Sequence, residues 1–264
     1  MKNNLVIARP SARAFARRPA RQRGVALFIV LVLVMLSMLL AVWASRSSLF
    51  SEMVVGNDAD YQRAFEAAQA LEQDAKLDIL GQRADGRDCS STACRETTAN
   101  AKIPQQPPDV ISLIIHLADT NTDTQCDAAL CVRRAGRQDF WNNNGSFATD
   151  PTVGEASLPD MQAVGARYGQ YTGAGIGSTA SPINPILTDR TDGQGGWYWI
   201  EVLPYDPSSQ TKGLCTDCDG SSAESLGLVL MPNVVYRITS IAYGRKAGTR
   251  VVLQSTFVKR RKQD

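Results

Sequence analysis

Hydrophobic positions along the chain change their spacing three times, and each change predicts a different element. From Val25 to Ala44 the sequence reads VALFIVLVLVMLSMLLAVWA, twenty residues with no charge and with Ser37 as the only polar side chain. A helix of that length is about 30 Å long, the thickness of a bilayer's hydrocarbon core. It is apolar on every face, as a membrane-spanning helix is and an amphipathic soluble one is not. From Ser45 to Leu80 no proline occurs, and the run becomes periodic. Ala64, Ala68, Leu71, Ala75 and Ile79 recur at helical spacing, widened by Tyr61, Phe65 and Leu77. Gln62, Arg63, Glu66, Gln69, Glu72, Gln73 and Lys76 cover the other side. The two stretches join into one helix over 25–80. Gly56-Asn57-Asp58 is its weakest point, where a kink or short melt is expected, and Gly81 and Gly86 close it.

Beyond the helix the pattern turns loop-like and then strand-like. Residues 82–110 form a polar stretch containing Pro104, Pro107 and Pro108. Val110–Leu117 (VISLIIHL) is a short apolar run compatible with a strand or a buried helix turn. Residues 136–196 are rich in Gly, Asn, Thr, Ser and Asp and read as long loops. Trp197–Leu203, Val234–Tyr243 and Thr249–Val258 are β-branched and aromatic, partly alternating, with the last two joined at hairpin distance. The expected fold class is α+β, with a long N-terminal transmembrane and amphipathic helix packed on a C-terminal antiparallel sheet. The expected divisions are 1–24, a cytoplasmic leader; 25–44, the span; 45–80, the amphipathic half of the helix; and 81–264, a head that is loop-rich over 81–196 and sheet over 197–258.

Charge sharpens the topology. The whole chain has 28 basic and 26 acidic side chains, a net of +2. Seven of the basic residues (Lys2, Arg9, Arg13, Arg17, Arg18, Arg21 and Arg23) precede the apolar run, with no acid among them. The remaining 21 basic residues against 26 acidic leave the rest near −5. A basic stub ahead of a span holds the N-terminus in the cytoplasm and sends the head across the inner membrane into the periplasm. A secretory signal is shorter and ends in a small-residue cleavage site. Here no Ala-x-Ala exit precedes Arg46.

The motifs at the two ends carry a family resemblance. Arg21-Gln22-Arg23-Gly24 directly before the apolar run resembles a type III prepilin leader, which implies cleavage after Gly24 by a prepilin peptidase and methylation of a new N-terminus at Val25. Glu52-Met53-Val54-Val55-Gly56-Asn57 and Ala64-Phe65-Glu66-Ala67-Ala68 resemble the helix of PilX-type minor pilins of type IV pili. Tyr236-Arg237-Ile238-Thr239 and Val252-Leu253-Gln254-Ser255-Thr256-Phe257 are similar to that group's C-terminal strands. The resemblance covers about 21–80 and 197–258. It implies a structural, non-catalytic protein whose partners are other minor pilins and the major pilin, met through the N-terminal helix, with a tip adhesin as a further partner and no nucleic acid. Most pilins carry glutamate at the fifth mature position, where this chain has Ile29. A carboxylate in the bilayer is costly without a partner charge, so a subunit with Ile29 requires none above it. That suits a subunit that starts a filament and rides at its tip. A tip pseudopilin of type II secretion shares this feature and is the alternative.

Site chemistry is sparse. Cys89 and Cys94, Cys126 and Cys131, and Cys215 and Cys218 lie in local pairs. An even count in an exported domain argues for structural disulfides. Fifteen pairings are formally possible, and the three nearest-neighbour ones are simplest. Zinc is disfavoured because no histidine lies near. Cys215-Thr-Asp-Cys218 would serve a membrane-tethered redox protein, a less favoured reading. Asp119, Asn121 and Asp123 have the spacing that opens a calcium loop, yet Thr124 replaces the glycine and Leu130 the closing glutamate. The set is at most a weak metal candidate. No phosphate loop or dinucleotide fingerprint occurs, so no cofactor is expected. His116, the only histidine, is expected to be structural or half-buried. Lys259–Lys262 reads as a solvated basic tail.

Overall fold

A computed structural model describes residues 25–90, 92–120, 123–134, 136–144, 155–177, 181, 183–204 and 233–259. Its elements in chain order are α1 (Val25–Leu80), α2 (Arg95–Thr98), α3 (Pro107–Thr120), β1 (Cys126–Asp127), β2 (Leu130–Cys131), a 3-10 turn (Phe140–Asn142), α4 (Leu158–Val164), α5 (Pro185–Thr188), β3 (Gly196–Pro204), β4 (Val234–Tyr243) and β5 (Arg250–Phe257). The chain forms two compact units, Met1–Val54 and Val55–Asp264. In the first, residues 25–54 are helical and every one is exposed. Gly56 and Asn57 lie inside α1, whose helical assignment is unbroken there. Of the kink or short melt expected there, the melt does not occur.

In the second unit, α1 lays its alanine-rich face on the sheet. Ala64, Ala67, Ala68, Leu71, Ala75 and Ile79 are fully buried, together with Tyr198, Ile200, Tyr236, Ile238 and Ala242 from the strands. Small side chains let the backbones approach closely. Buried Ser240 donates its hydroxyl to the carbonyl of Ala68 at 3.0 Å, and a Cβ on Gly196 would stand 2.6 Å from Leu71 Cδ1. Tyr61, which the periodic stripe includes, is exposed. The helix ends in a Schellman cap. Gln82 N–H bonds to Leu77 C=O and Gly81 N–H to Asp78 C=O, with Gly81 at φ 69°.

The sheet has five strands in the order β1-β2-β3-β4-β5. β3, β4 and β5 form the expected antiparallel meander, with Ile200 opposite Ile238 and Ile238 opposite Ser255. β2 joins β3 in parallel, so the sheet is mixed rather than wholly antiparallel. The two-residue β1 and β2 lack an apolar run long enough to announce themselves.

The face of the sheet away from α1 is also covered. Trp197, Trp199 and Ile241 pack there against Phe140, Leu158 and Met161. Trp199 donates its indole N–H to Met161 C=O at 2.8 Å, and its ring meets Phe140 edge-on at 4.8 Å. The stretch expected to be loops thus contains α4 and α5. α4 begins with a capping box between Ser157 and Asp160, and the Asn184 side chain caps α5. Where the apolar pattern left 110–117 open, the structure has the longer helix α3. Pro107 is its first residue, and Asp109 Oδ2 accepts the N–H groups of Gln105 and Gln106.

Ala68→Leu should destabilise the second unit by about 1–3 kcal/mol, because added methylenes would separate α1 from Ser240. Gln69→Leu, on the exposed side, should stay within about 0.5 kcal/mol. Thermal unfolding of both variants in detergent is the measurement; equal melting temperatures would refute this packing.

Candidate assembly helix and the carboxylates that anchor the head

Two features of α1 are candidates for function: its exposed apolar N-terminal segment and a row of buried acids on its sheet-facing side. Val25, the first described residue, is helical and Ile29 lies one turn further on, both exposed. Among the described residues α1 is the one helix long and apolar enough to cross a membrane.

Asp60, Asp74 and Asp78 are all buried. They sit three or four residues from members of the alanine stripe and so share its face. Each accepts hydrogen bonds from a different part of the head. Asp60 takes the backbone N–H groups of Arg245 and Lys246 at 2.9 and 3.0 Å, pinning the β4–β5 turn. Beside it, Lys246 Nζ donates to Asn57 Oδ1 at 3.0 Å, in a space that a Cβ on Gly56 would occupy. Burial works against the Asp60 charge, but the two backbone donors hold its pKa below the usual value.

Asp74 accepts the N–H of Gly169 at 2.7 Å and the hydroxyl of Thr172. Gly169 has φ 74°, and a Cβ there would lie 2.2 Å from Ala174 O, so only glycine fits the turn. Here burial prevails over both hydrogen bonds and pushes the carboxyl up to about 6.

Asp78 forms the most heavily bonded site. Arg95 Nε and Nη2 bind its two oxygens at 2.8 and 2.5 Å. Tyr198 donates its hydroxyl to Oδ2 at 3.0 Å. The same guanidinium donates to Ala128 O at 2.7 Å and Ala101 O at 3.3 Å and lies 4.1 Å from the centre of the Tyr171 ring. Side-chain exposure is 3% for Arg95 and 0% for Asp78. Burial alone would weaken the Arg95 charge, yet the adjacent carboxylate outweighs it and raises the guanidinium pKa above its ordinary value. Burial also raises the Tyr198 pKa far above normal.

The cysteines border this network. Cys89 is bonded to Cys94 and Cys126 to Cys131. Gly24, Asn121, Cys215 and Cys218 lie outside the described residues. Asp119 is exposed at the end of α3, and Asp123 is exposed in the turn before β1. Among the described residues no group of three or more His, Cys, Asp or Glu is placed to hold a metal. His116 is exposed, with Nε2 2.9 Å from Asp127 Oδ2, a contact in keeping with a structural role. Sequence reasoning missed Asp60, Asp74, Asp78 and Arg95. The acids were detectable by extending the stripe at its own spacing, whereas no local signal marks Arg95.

An apolar single-span helix running into a head where that helix packs on a sheet defines a pilin-like protein. Comparison with known families agrees. The PilX N-terminal family matches residues 23–70, and the type IV pilus assembly protein PilX C-terminal family matches residues 115–259. The chain belongs to the PilX family and is a type IV pilus minor pilin. That family is structural, and its helix and membership indicate membrane anchoring and association with the pilus. No curated protein and no solved structure matches the chain.

Two predictions follow from the buried acids. Arg95→Ala should cost about 3–5 kcal/mol by leaving Asp78 buried and unpaired, and Arg95→Leu combined with Asp78→Leu should recover part of that loss. A double variant as unstable as the single one would contradict this. For Asp74, the folded pKa of about 6 lies above the unfolded value of 3.8, so its stabilising contribution is complete below about pH 4 and is lost as pH rises through 6. Relative to Asp74→Asn, wild-type stability should therefore fall between pH 4 and 7, by no more than about 3 kcal/mol. Urea unfolding across that range tests the sign, and a rise would overturn it.

Proposed function

We propose that this minor pilin takes part in initiating type IV pilus assembly and occupies the tip complex of the filament. The observation that carries the reading is α1 itself: residues 25–54 are exposed on every side, and no acid stands in the first turns, where Ile29 replaces the glutamate usual in pilins. A helix of this kind is suited first to lipid and then to neighbouring pilin helices. In this reading a prepilin peptidase cuts after Gly24, Val25 becomes the methylated N-terminus, and the chain waits in the inner membrane with its head in the periplasm. Its partners are the other minor pilins and the major pilin, with an adhesin at the tip as a further contact. Its own Val25 ammonium can receive a glutamate from the subunit added beneath, while Ile29 demands no ammonium above. The protein acts as a structural part and performs no reaction. Disulfides at the three local cysteine pairs would suit a head exposed to an oxidising compartment.

Ile29→Glu tests the starting role. The added carboxylate would lie about one turn inside the helix and need a cationic partner. Sheared pili should decrease while membrane levels of the protein stay unchanged, and mass spectrometry should still find the N-terminus at Val25. Equal piliation would remove Ile29 as the basis of initiation, and a retained Met1 would remove the leader.

A further inference from the structure

We propose that the Cys89–Cys94 and Cys126–Cys131 disulfides and the Arg95–Asp78 pair form one oxidation-dependent latch, in which the buried Asp78 carboxylate disfavours closure of the reduced head and the two disulfides close it cooperatively. Each disulfide spans only five positions, and the two rings share no residue. Taken alone, such short rings would restrict the unfolded chain locally and independently. What joins them is Arg95.

The first ring delivers the guanidinium. After the Schellman cap, Cys89 N–H bonds back to Gly81 C=O at 2.8 Å, which holds Cys89 at the end of α1. Its disulfide brings Cys94 to the same place, and Cys94 is the N-cap of α2, directly before Arg95. A four-residue helix has little persistence of its own. Arg95 therefore reaches Asp78, seventeen positions back, because the ring returns the chain there.

The second ring supplies an acceptor. Between Cys126 and Cys131, Ala128 and Ala129 have φ 49° and 66°, a region that costs a non-glycine residue about 1–2 kcal/mol. In this conformation Ala128 O accepts Arg95 Nη1 at 2.7 Å, while Ala129 N–H and C=O bond to Val164 and to Ile200 of β3 at 2.7 and 2.8 Å. If either ring opens, Arg95 loses its placement or an acceptor. Asp78 is then left buried with Tyr198 as its remaining donor, a state that strongly favours opening. The other ring then holds a strained or solvated segment with nothing to gain from closure. Closing is thiol–disulfide exchange with an oxidised dithiol: two protein thiols form one S–S bond, and two electrons and two protons reduce the reagent's disulfide to its dithiol.

The test equilibrates the full-length protein in detergent with graded ratios of reduced to oxidised dithiothreitol, traps thiols by alkylation and maps each pair by peptide mass. In the wild type the two pairs should titrate together, with molecules holding one of them closed below about a tenth of the total. In Cys126→Ser combined with Cys131→Ser, the Cys89–Cys94 pair should open at a ratio about tenfold lower. In an Arg95→Leu, Asp78→Leu background, removing the second pair should shift the first by less than about twofold. Abundant half-closed molecules in the wild type, or a tenfold shift that survives loss of the charge pair, would overturn the latch. If a variant fails to fold, the wild-type co-titration decides alone.

Discussion

The head is organised around one buried carboxylate. Asp78 lies in the last turns of α1 and is inaccessible to water, so the fold stands only if its charge is matched. The match comes from Arg95, held by the loop after the helix, and from Tyr198 in the central strand. Because that guanidinium also binds Ala128 and Ala101, a single side chain ties α1, α2, the β1–β2 turn and the approach to α3 to one point. A buried ion pair is weak evidence of net stabilisation, since an apolar pair of similar volume often does as well. Its effect is specificity: many ways of laying an alanine-lined helix on a sheet bury similar area, but only one aligns Asp78 with both Tyr198 and Arg95.

The same logic extends along the helix. Asp60 and Asp74 repeat the arrangement, Asp60 receiving two main-chain donors from the β4–β5 turn and Asp74 one main-chain donor and one hydroxyl from the loop after α4. The three sockets differ in how burial and hydrogen bonding balance. Two backbone donors keep Asp60 easily ionised, whereas at Asp74 burial prevails despite two donors. The alanine stripe supplies close approach, and the acids supply register.

How much of this could be read from sequence follows from the range of each interaction. The uniform apolar segment, the alanine stripe, the glycine cap and the meander of β3 to β5 rest on local periodicity and turn chemistry, and all are present in the structure. The acids of α1 escaped because an acid is assigned to solvent by default. Their burial is decided by partners more than ninety positions away for Asp60 and Asp74, and by a ring-folded loop for Arg95. The parallel pairing of β2 with β3 escaped for a related reason: two residues carry no pattern. Residues 136–196 looked structureless because their apolar side chains are few and scattered. Phe140, Leu158 and Met161 nonetheless converge on Trp197 and Trp199, so what composition presents as loop is the second cover of the sheet.

The two halves of α1 carry two different kinds of surface. Over 25–44 every face is apolar, and no position is reserved for a particular neighbour. Over 60–79 the helix is strongly divided, with alanines and buried acids on one side and charged or amide side chains on the other. Nothing in the first half depends on a specific polar partner, so any apolar surroundings leave its own structure unchanged. The second half cannot exchange its surroundings at all, because unpartnered Asp60, Asp74 or Asp78 would each be left charged in a dry interface. Tolerance of apolar surroundings and dependence on specific partners are therefore set within the same helix, and the change from one to the other is a change in where carboxylates are allowed.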